Sequence, residues 1–206
     1  MFFERRILMS ENSNNLSDTP EFSRGKKVIL RPLLRADLPK MIRWINDPDI
    51  RQYILAFWPT MEKNEEEWFD RLANGKTDAV FAITLLDGTI IGTIGLHKIC
   101  WYDRTATTGS FIGEKQYWSK GYGSEAKMLL LHYAFHTLNL RKICSSVIEY
   151  NKRSYGCLRK CGYVDEGRQK RQHFKKGRYW DEVYLAVFRK DWEPLWRKFQ
   201  RGGWGK

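Results

Sequence analysis

From Lys26 onward, short stretches of alternating apolar and polar residues trade places with stretches in which apolar residues recur every three or four positions. Residues 28–33 (VILRPL) read as a strand that Pro32 ends. Asp37 then stands where it can cap a helix through LPKMIRWIN, with Leu38, Met41, Ile42 and Ile45 at helical spacing. Asn46-Asp47-Pro48-Asp49 is a stop signal. A second helix is predicted after Pro59, with Glu62 and Glu65, Glu66 and Glu67 near its positive end and Trp68, Phe69 and Leu72 as its apolar stripe. Residues 79–86 and 89–99 around the turn Asp87-Gly88 predict a hairpin. A strand over 105–112, a long amphipathic helix over 124–138, a strand over 142–149, a helix over 152–160 and two strands over 167–174 and 180–188 complete the pattern. The order predicts one α+β domain with a mixed sheet, and no internal repeat is visible.

The length of 206 residues suits a single domain. Residues 1–25, rich in Ser, Asn, Asp and Glu after position 10, read as a disordered lead-in; 26–192 read as the folded domain and 193–206 as a basic, aromatic tail. The start carries no apolar run with a small-residue cleavage site, and no stretch approaches the ~20 apolar residues that span a bilayer, so neither secretion nor a membrane is expected. Cys100, Cys144, Cys157 and Cys161 lack the spacing of paired zinc knuckles and read as free thiols of a reduced, cytoplasmic protein. Hydrophobic residues make up 42% and aromatics 15%, enough for a substantial core. The formal charge of +12 is uneven: residues 1–140 hold 18 basic and 17 acidic side chains, residues 141–206 hold 18 and 7. That excess points toward something anionic without naming it.

The chemistry concentrates in FIGEKQYWSKGYGSEAKMLLLHYAF, residues 111–135. A strand runs into a loop with Gly121 and Gly123, and a helix starts beside them. Such a start offers unsatisfied N–H groups at the positive end of the helix dipole, a site for phosphate or pyrophosphate, with Lys120 as an added charge. A tight strand-to-helix connection without a ligand explains two glycines equally well. Ala126 stands where a dinucleotide fingerprint has its third glycine, and the Gly-Lys-Ser/Thr ending of a P-loop is missing.

YWSKGYGSEA resembles the pyrophosphate loop of the GNAT acetyltransferases, especially the branch of ribosomal-protein N-terminal and polyamine acetyltransferases. NKRSYGCLRKCGYVDEG (residues 151–167) resembles that family's Asn-x-x-Ser/Ala…Lys-x-Gly-Phe…Glu-Gly segment. VILRPLLRADL and FKKGRYWDEV resemble its first strand and its C-terminal hairpin, so the likeness runs from Lys26 to Trp192. It implies the GNAT fold, in which acetyl-CoA enters between splayed strands at 105–112 and 142–149. Backbone groups of Phe111 and Ile112 would pair with the pantetheine arm. Trp118, Ser119, Lys120, Gly121, Tyr122, Gly123 and Ser124 would surround the pyrophosphate, with Asn151 and Ser154 on the other side. An amine would attack the thioester directly, its developing charge held by a backbone N–H, with no protein nucleophile and no metal.

Two positions depart from the family pattern. Thr107 stands where many members carry Glu, and Leu158 where many carry a proton-donating Tyr. Ser154 is therefore the candidate catalytic residue, for stabilising the leaving thiolate; a helix-start cap explains it equally well. Glu149 is a conceivable base, or an ordinary strand-end carboxylate. Tyr53, Trp58, His97 and Trp101 are candidate acceptor-site residues, and Asp181 and Glu182 are placed to attract an amine or to pair with Lys176 or Arg178. His132 and His136 have zinc-compatible spacing without a third ligand. The expected acceptor is a small amine, an amino sugar or a protein N-terminus, and the expected state a monomer or homodimer. The alternatives are a ribosome- or RNA-binding protein using EGRQKRQHFKKGRYW, and a CoA-binding GNAT-fold protein without catalysis. The general charge disfavours a polycationic acceptor.

Overall fold

A computed structural model describes residues 20–204. Its eight strands are β1 (Ser23–Arg24), β2 (Ile29–Pro32), β3 (Ala79–Thr84), β4 (Ile90–Cys100), β5 (Thr105–Ile112), β6 (Lys142–Ile148), β7 (Val164–Lys175) and β8 (Arg178–Phe188). They form one mixed sheet in the order β1-β2-β3-β4-β5-β6-β8-β7. Every neighbouring pair is antiparallel except β5 and β6. The helices are α1 (Leu38–Asn46), α2 (Pro48–Arg51), α3 (Glu62–Asn74), α4 (Tyr122–His132), α5 (Lys152–Lys160) and α6 (Arg189–Gln200).

The pleat sends successive residues of β3 to opposite sides of the sheet. Phe81 and Ile83 join the larger core with Met128, Leu130 and Phe135, while Ala82 joins a smaller one with Leu38, Met41 and Trp44. Helices α4, α5 and α6 thus cover one face and α1 the other. The central parallel pair has a physical consequence. A parallel crossover needs a helix between its strands, and that helix is α4, which leaves the end of β5 and opens its N-terminus beside the sheet.

Several expectations change. Asp37 precedes α1 but makes no cap bond to it. It is buried in a bidentate pair with Arg31 at 2.7 and 2.8 Å and accepts from Leu34 N at 2.8 Å. The stop at 46–49 contains its own short helix, α2, which Asp47 caps through Asp49 N. Helix α4 starts at Tyr122, two residues early, and continues as a π-helical turn over Tyr133–Thr137. The segment 193–206 is a packed helix as far as Gln200: Trp192 is fully buried, and Trp196 stacks on His132 at 4.4 Å. Of the lead-in 1–25, residues 1–19 lie outside the described residues, and Ser23–Arg24 form β1.

Candidate active site

The pairing of β5 with β6 covers only Thr105↔Lys142, Ala106↔Ile143 and Thr107↔Cys144. Beyond it, β5 stays with β4 as far as Ile112, and β6 stays with β8 as far as Ile148, so the two strands part. Side chains bridge the fork: Ser145 Oγ donates to Thr108 O at 3.1 Å. From the fork opens a cavity of about 510 Å³. Its walls are residues 107–112 of β5, 145–148 of β6, the start of α4, the inner side of α5 and the chain around α2.

The loop from β5 into α4 turns through two left-handed residues, Ser119 (φ 58°) and Gly121 (φ 88°). Glycine adopts that backbone without a Cβ penalty, which is why Gly121 closes this turn. The N–H groups of Tyr122, Gly123 and Ser124 follow at the helix start, where no helical carbonyl serves them. Glu125 in the same turn is buried and accepts from Lys27 N at 2.6 Å and Val28 N at 3.3 Å. Lys27 Nζ in turn donates to Lys120 O at 3.0 Å. The helix start is thereby tied to the chain before β2.

Of the residues singled out from sequence for a cofactor, Phe111, Ile112, Trp118, Ser119, Gly121, Gly123, Ser124, Asn151 and Ser154 line this cavity. Lys120 and Tyr122 are outside its lining; Tyr122 packs edge-on against Tyr117 at 5.2 Å. The Ile112 carbonyl is already taken by Trp118 Nε1 at 2.7 Å. Asn151 Oδ1 caps α5 by accepting from Ser154 N at 3.1 Å. Leu158, at the position of the missing Tyr, is buried in the cavity wall, as is Thr108 beside Tyr163.

Of Tyr53, Trp58, His97 and Trp101, only Tyr53 lines the cavity. Trp58 is 84% exposed. His97 Nδ1 faces Asp78 Oδ1 at 2.8 Å and Trp101 Nε1 donates to Lys76 O at 3.3 Å, and neither lines the cavity. Glu149 is held by Arg168 at 3.0 Å. His132 and His136 stack on each other at 4.9 Å, and among the described residues no group of three metal-ligating side chains occurs.

From sequence Lys175 has no role in the site, whereas Arg153 is a candidate for the 3′-phosphate end of the cofactor and Glu182 for attracting an amine; the structure locates all three. Arg153 of α5 lies 3.7 Å over the Trp118 ring and 5.0 Å over that of Tyr53, joining the glycine loop to the α2 segment. Lys175 Nζ of β7 donates to Arg51 O at 2.9 Å and Ile54 O at 2.6 Å, anchoring that segment to the hairpin. Glu182 of β8 reaches the cavity beside Ser146. It accepts from Ser146 Oγ at 2.5 Å and Tyr184 OH at 3.0 Å, and His173 Nε2 stands 3.0 Å away, off the line of a good hydrogen bond. Burial works to raise the Glu182 carboxyl; the hydrogen bonds from Ser146 and Tyr184 and the nearby His173 outweigh it, so it titrates below the ordinary carboxylate value. Lys127 and Cys157 also line the cavity. A Lys inside the apolar run AKMLLL was the one signal in the sequence for this pair.

Residues 27–164 match the family described as "Acetyltransferase (GNAT) domain". The N-acetyltransferase YnaD of Bacillus subtilis (strain 168) is 28% identical over 168 residues, covering 81% of this chain and 96% of that protein. The spermidine N(1)-acetyltransferase of Vibrio cholerae is 28% identical over 167 residues, covering 79% and 94%. A crystal structure of spermidine N-acetyltransferase from Vibrio cholerae with CoA and spermine superposes at a TM-score of 0.77 and 24% identity, covering 82% of this chain and 99% of that one. That likeness is one of fold.

Proposed function

The chain belongs to the GNAT acetyltransferase family, and on that premise we propose that it transfers an acetyl group from acetyl-CoA to a primary amine bound at Glu182, by direct attack. The observation that carries this reading is the fork: strands β5 and β6 part at Thr107 and Cys144, and the N-terminus of α4 opens onto the cavity between them.

The residues present fit the donor. Unserved N–H groups after a left-handed Gly121 suit a pyrophosphate, and the volume lies within the range of small-molecule sites. Gly121, Gly123 and Ser124 would hold the phosphates, and β5 the pantetheine arm. Acetyl-CoA supplies a thioester, whose carbonyl carbon an amine attacks without a protein nucleophile. At the fork, Glu182 is ionised at neutral pH and receives the acceptor's ammonium group. Glu182 is then the group in the cavity wall nearest to hand for the proton that the amine must lose before it attacks, and His173, 3.0 Å behind it and outside the cavity lining, positions that carboxylate. Thr107 has no ionisable group for that task. On the leaving-group side Leu158 has no proton to give, and Ser154, one turn earlier on α5, is the hydroxyl that would stabilise the thiolate.

The test is a panel of N-terminal peptides, small amines and amino sugars incubated with acetyl-CoA, with the acetylated product read by mass. At least one class is expected to be acetylated; no product from any class would remove the reading. On the best acceptor, Glu182→Gln is expected to raise the acceptor KM and lower kcat, by about 10² in kcat/KM, while His173→Gln, which acts only through Glu182, changes the same two parameters by less. Ser154→Ala is expected to lower kcat at saturating acetyl-CoA, and an unchanged kcat would dispose of the serine.

A further inference from the structure

Acetyl transfer leaves one group of cavity side chains unused. Lys127 on α4 is only 2% exposed, lines the cavity, and has no carboxylate partner among the described residues. Facing it from α5 is Cys157, also in the cavity wall, which accepts a hydrogen bond from Ser124 Oγ at 3.3 Å. One turn on, Cys161 is buried and its Sγ lies 3.5 Å from Ser124 O. Lys160 adds a cation to the same wall.

A buried ammonium is costly unless an anion stands near it, and here the neighbouring group able to become one is a thiol. The hydrogen bond with Cys161 lowers the Cys157 thiol, burial raises it, and the charges of Lys127 and Lys160 with the Ser124 hydroxyl lower it further, to about 6. Cys161 moves the other way, well above its usual value, chiefly through burial. The two sulfurs thus differ in surroundings: those of Cys157 favour the thiolate, and burial of Cys161 favours its thiol.

We propose that Cys157 is a covalent modification site inside the acetyl-CoA cavity, which exchanges with the disulfide of an anionic thiol to form an adduct that excludes acetyl-CoA. The overlap with acetyl-CoA rests on the function proposed above. In the exchange the Cys157 sulfur attacks one sulfur of the disulfide. That S–S bond breaks, a new one joins Cys157 to half of the reagent, and the other half leaves as a thiolate that takes a proton from solvent. No further oxidant enters. The cations Lys127, Lys160 and Arg153 and the positive end of α4 favour an anionic reagent. CoA is itself an anionic thiol, so its disulfide belongs to this class, and reduction would restore the enzyme.

The full chain is treated with 5,5′-dithiobis(2-nitrobenzoate), an anionic disulfide, and the rate at Cys157 is followed by peptide mass as pH is varied. At pH 6 about half of a thiol of pKa about 6 is thiolate, against roughly one part in three hundred of an unperturbed thiol. Its lower basicity removes about a tenfold share of that advantage, leaving Cys157 about tenfold faster than a short cysteine peptide. The rate should inflect near pH 6, fall in Lys127→Met, and drop at least tenfold with saturating CoA. A Cys157 no faster than the peptide at pH 6, or a thiolated protein that binds CoA with unchanged Kd, overturns the proposal. Calorimetry with CoA on untreated Cys157→Ala separates the two readings. If that variant binds CoA while wild-type Cys157 is sluggish, only this proposal falls; if no untreated protein binds CoA, the acetyl-CoA reading falls, and the overlap with it.

Discussion

Lys127 is the residue at which local pattern and function conflict most sharply. It sits between Ala126 and Met128 in a helix face that is otherwise apolar and buried, and burial pushes its ammonium below the usual lysine value of 10.5 while the Cys157 and Cys161 sulfurs pull it back. A folded-state value below the unfolded one means that the unfolded chain binds more protons between the two, so Lys127 destabilises the fold. That penalty is complete below the folded value and vanishes as pH rises to the unfolded value of 10.5. Lys127→Met keeps the length and removes the charge, and Cys157 can take up a proton, so no orphaned charge remains. We expect a gain in stability of about 1 to 4 kcal/mol at neutral pH. The Tm difference should close as the pH is raised toward 10.5; thermal melts across pH check both. A destabilised variant would mean that the ammonium is better satisfied than its surroundings indicate. Glu182 is a contrasting residue. Its carboxylate was visible in the sequence, but its partners Ser146, His173 and Tyr184 come from three strands. No local pattern brings them together, so an amine-attracting pair with Asp181 was as far as sequence could go; Asp181 in fact bonds to Arg168 and Arg171 N.

Elements whose signals are local were read to the residue. Helix α5 is bounded by the Asn151 cap and the left-handed Gly162, and β5 runs over the 105–112 expected for it. The geometry of the glycine loop was legible for the same reason: a left-handed turn and a helix start lie within a few residues. Helix α6 was missed because Pro194 lies inside it and its stripe is built of Trp192, Trp196 and Phe199 among basic residues. Only the larger core, against which those rings pack, reveals it as a helix rather than a tail. The part of the cavity wall around α2, proposed to face the acceptor, is held by tertiary contacts in the same way. The segment around α2 has few buried side chains, and Lys175 fastens two of its carbonyls, Arg51 O and Ile54 O, to the β7–β8 hairpin. Lys175→Met should free that segment. We expect a several-fold higher acceptor KM with the acetyl-CoA KM nearly unchanged, because the glycine loop is tied separately through Lys27 and Glu125. Initial-rate kinetics with each substrate varied in turn checks this; equal changes in both KM values would show that the two walls move as one.

Over the whole molecule, the charge of +12 and its concentration after residue 140 take on a more specific meaning. Part of the excess is internal fastening: Lys175 on carbonyls, Arg168 on Glu149 and Asp181, Arg178 on the Trp180 ring, Lys142 on Glu166. These side chains have partners in the chain, which weakens the case for a phosphate-binding surface. They nevertheless keep their charge, and the field of a strongly basic protein acts on any acceptor that approaches. At the fork itself Glu182 presents a carboxylate, opposite in sign to Lys127, Arg153 and Lys160 elsewhere in the cavity wall. A single ammonium group on a neutral or acidic carrier satisfies both fields, whereas a polyamine satisfies only the inner one. Two peptides with the same N-terminal residue, one acidic and one basic downstream, therefore separate the contributions. At low salt the acidic peptide should have the higher kcat/KM, carried by KM. The gap should shrink as salt reaches a few hundred millimolar, where the screening length falls to a few ångströms. The Glu182 contribution, inside the cavity, should survive that salt. A basic peptide or a polyamine preferred at low salt would show that a local acidic path outweighs the general field.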